Sequence, residues 1–134
     1  MTSDRPTEQA GIITKDSPLA IGATIAKLTG LLHARGMKIF AVIDQSAEAR
    51  DAGLELRPTT LVVFGNPAAG TAVMEAAPLA AMDLPLKVLV WVDRGQTRIS
   101  YVSPGTLADR YDLDADLARN LAGIDPLTDA LVAP

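Results

Sequence analysis

The sequence predicts an α+β fold of two layers, a largely antiparallel sheet with its helices on one face, in the order β-α-β-β-β-β-α. Three observations carry this expectation. Ile21, Ile25, Leu28 and Leu32 recur at helical spacing behind a short apolar run. Four runs rich in β-branched and aromatic residues follow, with only short helical patterns between them. The last two, Leu86 to Val92 and Thr97 to Val102, are separated by Asp93-Arg94-Gly95-Gln96, a length and composition that favour a hairpin. Long helices placed only at the two ends of this order suit one face of an antiparallel sheet rather than both faces of a parallel one.

Each element has its local reason. Residues 1–9 are polar and read as a flexible tail, ahead of one domain over residues 10–124. Gly11 to Thr14 is a short first strand. Ser17 offers an oxygen to the free amides of a helix start and Pro18 suits the first helical position. The helix is therefore expected over residues 18–35, stopped by Gly36. Met37 to Asp44 is the second strand, Ser46 to Ala52 a short helix ended by Gly53, and Thr59 to Phe64 the third strand after the Arg57-Pro58 break. Asn66 caps a further short helix over residues 67–76. Ser103-Pro104 repeats the cap-and-proline opening, and Leu107, Tyr111, Leu113, Leu117 and Leu121 extend helical structure, broken near Asp112, to Gly123. Residues 125–134 are expected to form a loosely docked C-terminal segment.

Composition narrows the chemistry. A chain of 134 residues buries roughly two thirds of its unfolded surface, enough for a core without staples. At 49% hydrophobic it is too apolar for disorder, yet no apolar run approaches the ~18 residues of a membrane span. The start lacks the apolar core of a secretory signal, so a cytoplasmic, non-membrane protein is expected. The absence of cysteine excludes disulfides, thiolate nucleophiles and zinc–thiolate sites within this sequence. A net charge of −4, with 12 scattered Lys and Arg, argues against nucleic acid as a partner.

The motifs that resemble active sites fall short. Gly65-Asn66-Pro67-Ala68-Ala69-Gly70-Thr71 has the outline of a phosphate loop but lacks its lysine, and Pro67 removes an amide. His33 is the sole histidine, so neither a transition-metal site nor a Ser-His-Asp arrangement finds its partners. No cofactor is expected. Asp44 and Lys87 are the pair best suited to acid–base chemistry, if burial shifts their pKa values. Strand-end aspartates, however, commonly bond nearby turn amides instead.

The most informative feature is the second sheet face. Alternation along the fourth strand puts Leu86, Val88, Val90 and Val92 on one side and Lys87, Leu89, Trp91 and Asp93 on the other. The second strand likewise divides Ile39, Ala41 and Ile43 from Phe40, Val42 and Asp44. A sheet apolar on both sides needs cover on both, so a second copy of the chain or a ligand cavity is expected over the face that the helices leave. The alternative is that the chain's own short helices and C-terminal end cover it. The expected cleft is bordered by Asp44, Phe64, Asn66, Lys87 and Trp91 and takes a small, anionic molecule. The leading functional expectation is thus a homodimeric small-molecule-binding or interaction domain. Its rivals are an enzyme using Asp44 and Lys87, and a purely structural assembly subunit.

Several blocks resemble one family: Met37 to Asp44, Ala49, Arg57-Pro58-Thr59, Phe64-Gly65-Asn66-Pro67, Asp83-Leu84-Pro85-Leu86-Lys87 and Tyr101. Over about residues 11–112 the chain is similar to the family called domain of unknown function 302. The resemblance implies the strand–helix–four-strand–helix arrangement also found in the TATA-binding-protein-like class, and a homodimer. The family often shows Asp-His where this chain has Asp44-Gln45, which puts any histidine-dependent family activity in doubt for this member. Fold analogy to a DNA-binding protein carries no functional weight.

Overall fold

The computed structural model describes residues 9–134, so the tail expected over residues 1–9 lies, but for Gln9, outside the described residues. Among the described residues, five antiparallel strands form one sheet. They are β1 (Ile12–Asp16), β2 (Lys38–Asp44), β3 (Thr59–Gly65), β4 (Leu86–Asp93) and β5 (Gln96–Val102). The spatial order β1-β5-β4-β3-β2 places the hairpin strands β4 and β5 near the centre and leaves β1 and β2 at the edges. Arg94 and Gly95, both at positive φ, make the tight turn of that hairpin, as its composition predicts.

Helices α1 (Ile21–Ala34), α3 (Pro67–Ala76), α4 (Pro104–Arg110) and α6 (Ile124–Val132) and a 3-10 turn (Pro78–Met82) bury side chains against one sheet face. Short helices α2 (Gln45–Asp51) and α5 (Ala115–Arg119) complete the element order. Leu28 and Leu32 of α1 meet Val62, Val88, Val90 and Ile99 of the sheet in a single fully buried cluster. The expected α+β, two-layer, antiparallel fold with helices on one face is the one observed. The break near Asp112 is also present, with that residue at φ 52°.

Three local expectations are corrected. Helix α1 starts at Ile21, with Ala20 at the cap position and no side-chain cap. Ser17 instead forms a buried hydrogen bond with Thr24 Oγ1 at 2.7 Å, and its Oγ accepts from the Leu19 amide, so Ser17-Pro18 makes a turn before the helix. The C-terminal end is not loosely docked: Ile124, Leu127, Thr128 and Leu131 of α6 are all buried, and Thr128 Oγ1 accepts a 2.7 Å bond from Lys15 Nζ of β1. In β2 the register shifts between Ile39 and Ala41, which makes Phe40 an extra residue. Ile39 therefore opposes Phe64 on the helix side, whereas Ala41 and Ile43 oppose Val63 and Leu61 on the other, and the even alternation read from the sequence is broken.

Candidate functional site

Directly opposed residues on neighbouring strands share a sheet face, so the register defines the side that the helices leave. One row across it runs Ile43, Leu61, Leu89, Ser100 and Thr14. A second holds Thr59, Trp91, Arg98 and Asp16, and a third contains Ala41, Val63 and Lys87. This face is apolar at its centre and charged at its rim, as the alternation along β4 predicts. Trp91 is buried but stands apart from the helix-side core, which confirms that it belongs to the other layer.

The chain shelters part of this face itself. Trp91 is only 7% exposed, and the segment leading into β3 sets Arg57 over its ring. The Arg57 guanidinium lies 6.0 Å from the indole centroid, within cation–π range, and pairs with Asp93 at 3.5 Å. The indole Nε1 donates to Ser100 Oγ at 2.9 Å, so the ring is held from both sides. Beyond the ring the cover ends. A cavity of about 540 Å³ opens there, with Leu61, Leu89, Ile12 and Val102 among its walls and Lys87, Arg57 and Trp91 around it.

Lys87 sits at the opposite end of β4 from Trp91. Its ammonium donates to the backbone carbonyls of Pro85 at 2.9 Å and Asp83 at 3.5 Å. The Asp83 carboxylate is engaged elsewhere, accepting from the Tyr111 hydroxyl and, at 2.8 Å, from Arg110. Those two donors, Tyr111 foremost, hold the Asp83 carboxyl below the usual carboxylate range.

Of the five residues expected to border one cleft, the structure brings two together. Lys87 and Trp91 line the same cavity. Phe64 is fully buried on the helix side, because its parity on β3 matches that of Val62 rather than Leu61. Asn66 caps α3 by accepting from the Ala68 and Ala69 amides, and lines a separate groove of about 280 Å³ with Phe40, Met74 and Pro85. Asp44 caps α2. The Ser46 hydroxyl, then the Ala47 amide, hold its carboxyl below the usual range. Asp44 pairs with Thr60, on the helix side, so no described cavity contains both Asp44 and Lys87. Leu56 and Arg57 also line the cavity, and no motif in the sequence marks them as site residues. The Arg57-Pro58 break was legible, but not that it would fold across Trp91.

Among the described residues there is no cluster of three metal-ligating side chains, and no helix is long and apolar enough to cross a membrane.

Curated relatives include the fluoride-specific ion channel FluC 1 of Brucella suis biovar 1 (strain 1330). It is 35% identical over 105 residues, covering 78% of this chain and 41% of that protein. The fluoride-specific ion channel FluC 2 of Brucella melitensis biotype 1 is also 35% identical, over 78% of this chain and 39% of its own length. The chain thus spans about two fifths of the length of the curated relatives it matches. Among solved structures, an uncharacterized conserved DUF302 protein from Bacillus stearothermophilus superposes with a TM-score of 0.79 at 22% identity. The match covers 92% of this chain and 97% of that one, and shows the same fold. With a family model matching residues 13–131, the chain belongs to the family described as domain of unknown function DUF302.

Proposed function

We propose that this chain is a homodimeric small-molecule-binding domain whose site is the sheet face the helices leave uncovered. The cavity beside Lys87 and Trp91 carries the proposal. Its volume of about 540 Å³ lies within the range of ordinary ligand pockets, and its described lining holds two cations and no carboxylate. Those features favour a small anionic ligand. Trp91 is the only tryptophan in the sequence and borders the cavity, so it supplies the assay. Binding predicts a saturable change in Trp91 emission with a matching rise in melting temperature across a panel of organic anions. A panel that leaves both unchanged contradicts the proposal.

The dimer rests on the edge of the sheet, next to this face. Edge strand β2 exposes Phe40, Val42 and Ile43, with Val42 49% accessible, and apolar residues on an unpaired edge favour association with a second copy. Light scattering at micromolar concentration should give twice the chain mass, and Val42→Lys should give a folded monomer. A wild-type chain that stays monomeric rules the dimer out.

The partial match to proteins named as fluoride channels favours a second reading, in which this domain serves as an assembly module beside a membrane-spanning segment. Fluoride therefore belongs in the anion panel. A response to fluoride alone contradicts a site for organic anions, and no response to any anion from a folded chain is what the assembly reading predicts.

A further inference from the structure

Resting on the binding reading above, we infer that the site takes an elongated apolar monocarboxylate, its carboxylate at Lys87 and its chain running along β4 toward Trp91. The charges select one anionic group rather than two. Arg57 is paired with Asp93, whereas among the described residues no carboxylate stands within ion-pair distance of Lys87. Its two hydrogen-bond acceptors are neutral carbonyls, and the nearby Asp83 carboxylate acts on Lys87 only through space while accepting from Tyr111 and Arg110, so the ammonium keeps donor capacity at the edge of an apolar cavity.

The lane between the two ends decides the rest. Lys87 and Trp91 are four residues apart on one face of a strand, roughly 13 Å. Leu61 and Leu89 lie between them. The hydroxyls near the lane are already committed. Ser100 Oγ accepts from Trp91 and pairs with Thr14, and Thr59 Oγ1 donates to the Arg57 carbonyl. A ligand with polar groups along its length finds no free hydroxyl on the lane of Leu61 and Leu89, whereas a hydrocarbon chain needs none.

The test is a titration of the full chain with dodecanoate, dodecanol, dodecylammonium, acetate and fluoride, read by Trp91 emission and calorimetry. The expected result is that dodecanoate binds most tightly and that dodecanol is weaker by about ten- to a hundredfold, the worth of one charge-assisted hydrogen bond. Lys87→Met should reduce dodecanoate to the level of dodecanol, and Lys87→Arg should retain it. Equal binding of dodecanoate, dodecanol and dodecylammonium overturns recognition by Lys87 while leaving a binding site in place. Acetate or fluoride binding as tightly as dodecanoate overturns the elongated apolar chain. No response to any probe, nor to the wider anion panel, removes the binding reading itself.

Discussion

Trp91 and Ser100 are bonded diagonally across the hairpin: the cross-strand partner of Trp91 is Arg98, yet its indole Nε1 donates to Ser100 Oγ at 2.9 Å, one face position further along β5. The bond lays the indole along the sheet toward the row of Leu61 and Leu89. The largest side chain of this face thereby becomes a wall of the cavity.

Ser100→Ala leaves that buried indole N–H without an acceptor and also removes the Thr14 hydroxyl's partner. A loss of about 1–3 kcal/mol is expected in urea denaturation, with a change in Trp91 emission in the folded state. Ser100→Thr keeps the hydroxyl and should recover most of the stability.

Leu127→Ala tests whether the C-terminal helix belongs to the core. Leu127 is 2% exposed within the main cluster, so a loss of about 2–5 kcal/mol is expected. A surface-like loss of a few tenths of a kcal/mol in equilibrium unfolding would contradict the packing described.

Asn66→Ala removes the side-chain acceptor for two amides at the start of α3 and should cost about 1 kcal/mol. Anion affinity at the Lys87 cavity should be unchanged, because Asn66 borders the other groove. Calorimetry on the variant separates the two roles.

Asp83, Arg110 and Tyr111 give stability a defined pH dependence. The folded Asp83 carboxyl, bonded first by Tyr111 and then by Arg110, titrates below its ordinary 3.8. Its contribution is therefore full above that pH and is lost as pH falls through the lower folded value. Tyr111, held by Asp83, titrates above its ordinary 10.0, so its contribution is full below that pH and is lost as pH rises through the higher folded value. Urea midpoints against pH should show both limbs for the wild type, and Asp83→Asn should reduce each, leaving the part that Asp44 gives the acid limb and Tyr101 the alkaline one. Unchanged limbs in the variant would assign the dependence to other groups.

The element order was legible from the runs of β-branched residues, and the two-faced β4 because strand parity is a strict period of two, with Lys87 and Trp91 on the same parity. The same rule misleads at Phe40. A bulge inserts one residue with no Gly or polar residue from Ile39 to Ile43 to mark it, so the apparent alternation runs on while the faces exchange. Phe64 was expected at the cleft, but its parity belongs to the core. Asp44 and Asn66 are cap residues whose side chains satisfy amides of their own chain. Helix α6 was hidden by its length and by Pro126. Its docking depends on Lys15 and Tyr101, more than twenty residues away in sequence, whose side chains meet Thr128 and Asp125.

The central claim is that ligand binds the sheet face opposite the helices, and amide chemical-shift mapping with dodecanoate tests it most directly. Shifts concentrated at Leu61, Lys87, Leu89, Trp91 and Val102 are the predicted result. Shifts confined to the Phe40 and Met74 groove, or none at saturating probe, would contradict it.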